Sequence, residues 1–206
     1  MESDGKKIKI AANGGIGFGS KLNANQLLTI SKYMDENEEL ELTTFQQLYI
    51  EIPESNKEEI IKEFESAGLA CYPVGNYVKS LRTCNFCKGE EREGMPVAKE
   101  LNKRFAGKQV PFTLKMAYTG CPIGCGEPMV SDIGVMKFKD QYNLYVGGKG
   151  KGFDAEVGTL LKENLEPEKL YELVAEIIDS YAKLGKKRET FFKFWRRIGK
   201  ERLINI

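Results

Sequence analysis

Two short cysteine pairs constrain this chain more than any other feature: Cys84-x2-Cys87 in "RTCNFCKGE" and Cys121-x3-Cys125 in "TGCPIGCG". If the four thiols act together, the chain must leave after Cys87 and return to the same place by Cys121. All-sulfur tetrahedral sets suit zinc or an iron–sulfur cluster, and spacing alone does not choose between them. The local sequence leans towards a cluster. Gly120, Gly124 and Gly126 lack side chains, so backbone N–H groups can approach sulfur. Such bonds tune a cluster's potential. Pro122 fixes φ directly after Cys121. A zinc ribbon puts both pairs on similar short turns, whereas here the second pair ends a strand in a glycine-rich loop. Free thiols are the third reading. Cys71, in "GLACYPVG", has no partner at ligand spacing and reads as a small buried hydrophobe.

The chain has no histidine among its 206 residues. That removes Ser–His–Asp and Cys–His hydrolases, HExxH proteases and mixed Cys/His zinc sites. Proton delivery falls to Lys, Arg, Tyr, carboxylates or water. With Lys+Arg 31 against Asp+Glu 30, bulk charge gives no support to nucleic-acid binding. No stretch reads as a signal peptide or membrane helix, so the expectation is a cytoplasmic protein. In a reducing cytosol, clustered cysteines more often bind metal or do redox chemistry than form disulfides.

Periodicity predicts an α+β chain. "KIKIAA" (7–12) reads as a strand, and "GGIGFGS" (14–20) as a flexible loop that lacks the last glycine of a Rossmann fingerprint, with Ser20 in that slot. Residues 23–37 read as a helix capped by Asn23, 40–52 as a strand and 53–68 as a helix opened by Pro53. This succession suggests a ferredoxin-like unit. Further on, 94–107 reads as a helix, 112–118 as a strand running into Cys121, and "DIGVMKF" with "YNLYVGG" as a hairpin. Residues 167–185 form the clearest amphipathic helix, with Leu170, Leu173, Val174, Ile177, Ile178, Tyr181 and Leu184 on one face. A last helix, 189–199, buries Phe191, Phe194, Trp195 and Ile198. The expected division is a ferredoxin-like half-domain over 1–75 and a cofactor-binding domain over 76–206.

"LKMAYTGCPIGCGEPMVSDIGV" resembles the signature of the siroheme-dependent sulfite and nitrite reductases, in which a strand leads into a Gly-Cys-Pro-x-x-Cys loop followed by "DIG". "LELTTFQQLYIEIP" is similar to that family's L-T-T-R-Q strand, and "YNLYVGG" to the end of its cofactor domain. The resemblance implies a [4Fe–4S] cluster on Cys84, Cys87, Cys121 and Cys125. Electrons would pass through Cys125 to a siroheme and reduce a bound small anion, sulfite or nitrite. It also implies a ferredoxin-like or flavoprotein electron donor and, for a single-copy chain, a homodimer; neither nucleic acid nor membrane is expected as a partner. The chain departs from the family in three places. Its first pair is shorter than C-x5-C. Phe45 replaces the anion-binding arginine. Thr113 replaces the first lysine of a P-x-K-x-K strand, leaving Lys115. Lys79 and Arg82, just before Cys84, are the other candidate cations for the substrate. Lys149 and Lys151 in "GGKGKG" are candidate clamps for siroheme carboxylates. Two alternatives belong to other classes: a [4Fe–4S] electron carrier without substrate reduction, and a zinc-stabilised binding module on the same four cysteines.

Overall fold

The computed structural model describes residues 6–17, 21–87 and 89–204. Ser20, the departing slot of the glycine-rich loop, lies outside the described residues. The chain divides into two units, Met1–Val74 and Gly75–Ile206.

The first unit runs β1 (Lys7–Asn13), α1 (Ala24–Ser31), β2 (Glu41–Leu42), β3 (Leu48–Pro53), α2 (Lys57–Ser66) and β4 (Ala70–Pro73). Its sheet order is β2-β3-β1-β4 with antiparallel neighbours, the split arrangement of a ferredoxin-like βαββαβ unit. Alternation along β1 and β3 aims Ile10, Ala12, Leu48, Ile50 and Ile52 at Ile30, Ile60 and Phe64 of the helices,. Asn23 caps α1 in a reciprocal box with Gln26,.

Two boundaries differ from expectation. The helix predicted to Asn37 ends at Ser31, and Tyr33 and Met34 pack on the core from a turn. The single strand predicted over 40–52 is a hairpin, because Thr43 Oγ1 accepts the N–H groups of Phe45 and Gln47, at 3.3 and 3.2 Å. Gln46 takes φ 58 there. Cys71 lies on β4, partly buried against this core, and burial with nearby Glu65 pushes its thiol up to about 12.

The second unit runs β5 (Arg82–Thr83), α3 (Glu90–Phe105), β6 (Met116–Thr119), β7 (Ile133–Phe138), β8 (Gln141–Val146), β9 (Thr159–Leu165), α4 (Pro167–Leu184), α5 (Phe191–Ile198) and α6 (Lys200–Ile204). The sheet order is β5-β6-β7-β8-β9. β5, β6 and β7 are parallel, and β7, β8 and β9 antiparallel. Helix α3 begins four residues before the predicted start, with Glu90, Glu91 and Glu93 in its first turn and Lys103 and Arg104 in its last. That charge order complements the helix dipole. α4 buries its apolar stripe as predicted except Leu184, which is exposed. Tyr181, Phe191 and Phe194 meet ring to ring within 6 Å and pin α5 to α4,.

Candidate redox centre

The parallel pairing of β5 with β6 brings the two cysteine loops together. Arg82 lies opposite Ala117 and Thr83 opposite Tyr118, so both chains leave the sheet at the same end. Cys84 N–H continues the ladder to Tyr118 O at 3.2 Å, and Gly120 N–H points at Cys84 Sγ, 3.3 Å away. Gly126 closes the second loop so tightly that a Cβ there would sit 1.9 Å from Tyr118 O and 3.2 Å from Cys84 N. Gly124, at φ 79, makes the turn between Cys121 and Cys125,. Cys84 and Cys121 are partly buried, while Cys87 and Cys125 are exposed.

This donor set fits a cluster. It offers four thiols on two adjacent loops, glycine backbone at the sulfur, and an N–H already aimed at one of them. Among the described residues no three Cys, Asp or Glu side chains come together as a metal-holding group. Two buried polar atoms near the loops also lack partners, Arg82 Nε and Thr119 Oγ1.

Behind the loops lies a set of residues that sequence reasoning missed. Phe86, between Cys84 and Cys87, is buried at φ 46 and stacks on Tyr118, with centroids 5.8 Å apart. The Glu90 carboxylate sits against Gly120: a Cβ on that glycine would lie 2.2 Å from Glu90 Oε2. Buried Lys137 bonds Glu90 and Glu93, each at 2.8 Å. Burial pulls the Lys137 ammonium down, but the hydrogen bonds and charges of Glu90 and Glu93 outweigh it and hold its pKa above the usual lysine range. Burial, then Tyr142, Glu90 and Cys84, drives the Tyr118 phenol up and keeps it neutral. The unusual αL phenylalanine has no sequence signal. The glutamates could be read from the acidic start of α3, but not their buried partner.

The predicted cations fall into two groups. Lys115 lies close enough to Lys151 and Lys79 to feel their charge: burial lowers the Lys115 pKa, Asp132 opposes the shift, and Lys151 and Lys79 add to it. Asp132 Oδ2 accepts the Lys115 backbone N–H at 2.8 Å, and burial pushes its carboxyl up to about 7. Arg82 and Lys149 are already engaged. Arg82 Nη1 binds Glu127 Oε2 at 2.6 Å, tying β5 to the end of the second cysteine loop. Lys149 pairs with Asp154 within its own turn. Thr113 donates to Gly75 O at 2.6 Å. Phe45 is buried in the first unit.

Comparison with known proteins defines the class of this site. Residues 77–206 match the nitrite and sulphite reductase 4Fe-4S domain. The chain belongs to the siroheme and [4Fe–4S] family of sulfite and nitrite reductases. A cobalt-factor III methyltransferase of Priestia megaterium is 30% identical over 93% of this chain and 35% of its own length. A nitrite reductase [NAD(P)H] of Bacillus subtilis is 27% identical, over 88% of this chain and 23% of its own. An assimilatory-type sulfite reductase of Nitratidesulfovibrio vulgaris is 25% identical, over 61% of this chain and 57% of its own. The chain thus spans less than two thirds of each of these relatives. Dissimilatory sulfite reductase I shares the fold at TM-score 0.71 and 15% identity, over 97% of this chain and 68% of that one. The Mycobacterium tuberculosis NirA protein does so at 0.69 and 16%, over 95% and 38%. Among the described residues no helix is long and apolar enough to cross a membrane.

Proposed function

We propose that this chain holds a [4Fe–4S] cluster on Cys84, Cys87, Cys121 and Cys125, with a siroheme beside it, and serves the reduction of a small anion such as sulfite or nitrite. The observation that carries this reading is the tie between the two cysteine loops, made by Cys84 N–H to Tyr118 O and Gly120 N–H to Cys84 Sγ. When bound, the two groups supply electrons and the iron at which the anion is reduced. The chain's own residues hold, charge and protonate. Exposed Cys125 would help hold the cluster and pass electrons towards the siroheme. Lys79 and Lys115 supply positive charge to an anionic substrate, and Arg82 orders the cysteine loops through Glu127. With its pKa lowered by burial, Lys115 gives up a proton more readily than a solvated lysine. Lys149 and Lys151 serve the siroheme carboxylates. A ferredoxin-like or flavoprotein donor supplies electrons, and two copies complete the pocket.

The test is the absorption spectrum of protein purified anaerobically from a host that makes siroheme, with iron and acid-labile sulfide assayed on the same sample. A siroheme band in the red, with iron and sulfide in cluster stoichiometry, is expected. A colourless protein containing zinc would overturn the reading.

A second reading is an electron-transfer module without substrate reduction. Phe45, buried where the family motif has arginine, favours it. So does the relative named a cobalt-factor III methyltransferase, whose similarity spans 93% of this chain. It predicts a reducible cluster and no binding of sulfite, nitrite or cyanide at a heme.

A further inference from the structure

Among the described residues, two buried side-chain polar atoms have no hydrogen-bond partner: Arg82 Nε and Thr119 Oγ1. Both stand at the cysteine loops. Thr119 is fully buried. Arg82 spends its Nη1 on Glu127 and leaves Nε unpaired. Arg82 is in register with Ala117 across the parallel β5–β6 pair, and Thr119 is two residues further along β6, so the two side chains leave the same face of the sheet. Each also stands two residues before a cysteine, Arg82 before Cys84 and Thr119 before Cys121. Cys84 follows directly on β5, its N–H still in the ladder with Tyr118 O, while the chain bends at Gly120 and Cys121. The same offset thus recurs at the ends of two paired strands, each time a donor followed by a thiol. A buried donor without a partner is costly, which makes such a group a pointer to a missing acceptor.

We propose that Thr119 Oγ–H and Arg82 Nε–H donate hydrogen bonds to sulfur of the cluster and raise its reduction potential. This rests on the cluster reading above. An added electron makes thiolate and sulfide more negative, and a hydrogen bond to a more negative acceptor is stronger. The donors therefore favour the reduced form.

The experiment compares the full chain with T119V, T119S, R82M and E127Q. Two quantities are read: the cluster's midpoint potential, by EPR-monitored redox titration, and the melting temperature of the cluster-free protein. T119V is expected to shift the reduction equilibrium about tenfold towards the oxidised form, ~59 mV for one electron. Its cluster-free form should melt no lower than wild type, since an unpaired hydroxyl has been removed. T119S should titrate with wild type. R82M should lower the potential, while E127Q, which breaks the ion pair but keeps Nε–H, should not. T119V and R82M carrying full iron and titrating at the wild-type potential would overturn the proposal alone. If T119V fails to fold, R82M against E127Q decides. A wild-type chain that takes up no cluster would overturn the cluster reading and this proposal together.

Discussion

Gly126 has almost no freedom. A Cβ at that position would lie 1.9 Å from a backbone carbonyl, which cannot swing away as a side-chain tip can. Gly126→Ala must therefore push the second cysteine loop away from Tyr118 at the end of β6. The expected cost is about 1–3 kcal/mol of stability, read by urea denaturation of the cluster-free chain, together with loss of bound iron after reconstitution. Asp132 gives a pH prediction. Its carboxyl titrates at about 7 in the fold, against roughly 4 in an unfolded chain. A raised carboxyl pKa means that the folded state binds the proton more tightly. This group's contribution therefore erodes as pH rises from about 4 to 7, by up to about 1.4 kcal/mol per pH unit, and is constant above. Asp132→Asn should remove that slope, and the difference between the two urea-midpoint profiles isolates it. The cysteines were legible because cysteine is scarce here, Cys 5 in 206 residues, and four of them come in two close pairs. Lys137 was not. In "GVMKF" it reads as one more strand lysine until α3, distant in sequence, delivers Glu90 and Glu93 to it.

Most elements follow local rules, and three that differ from expectation each have a physical cause. The 40–52 segment has strand composition throughout, yet the Thr43 hydroxyl gathers two N–H groups and folds it into a hairpin. Helix α3 starts four residues before its predicted start because its charged first turn, Glu90, Glu91 and Glu93, carries no apolar periodicity. β9 escaped notice because its burial does not alternate: Leu161 and Leu165 are its buried side chains, and its pairing with β8 shifts register twice. The first cysteine loop depends on an aromatic anchor rather than on secondary structure. Phe86→Ala removes the ring stacked on Tyr118. The expected loss is ~3 kcal/mol, with iron leaving faster in a chelator challenge than from the parent chain. If iron release is unchanged, Phe86 does not hold the loop.

The whole molecule divides at Val74 into two units, each with its own sheet and helices. All four paired cysteines belong to the second. A ligand that binds one folded unit stabilises that unit. Calorimetry of cluster-loaded and cluster-free chains should therefore move the transition of residues 75–206 upward and leave that of the ferredoxin-like unit in place. A common shift of both would mean that the units melt as one. The parallel exit of β5 and β6 has a consequence for the lifetime of the molecule. Iron bound at Cys84 and at Cys125 would bracket α3 and all of β6 within one closed loop. Cross-linking a loop of that size is worth about 4 kcal/mol by chain-entropy reckoning. Oxygen, in destroying such a cluster, would cut the wire and untie the knot in one event. A spent molecule would then open to proteases instead of lingering as an inert rival for the electron donor.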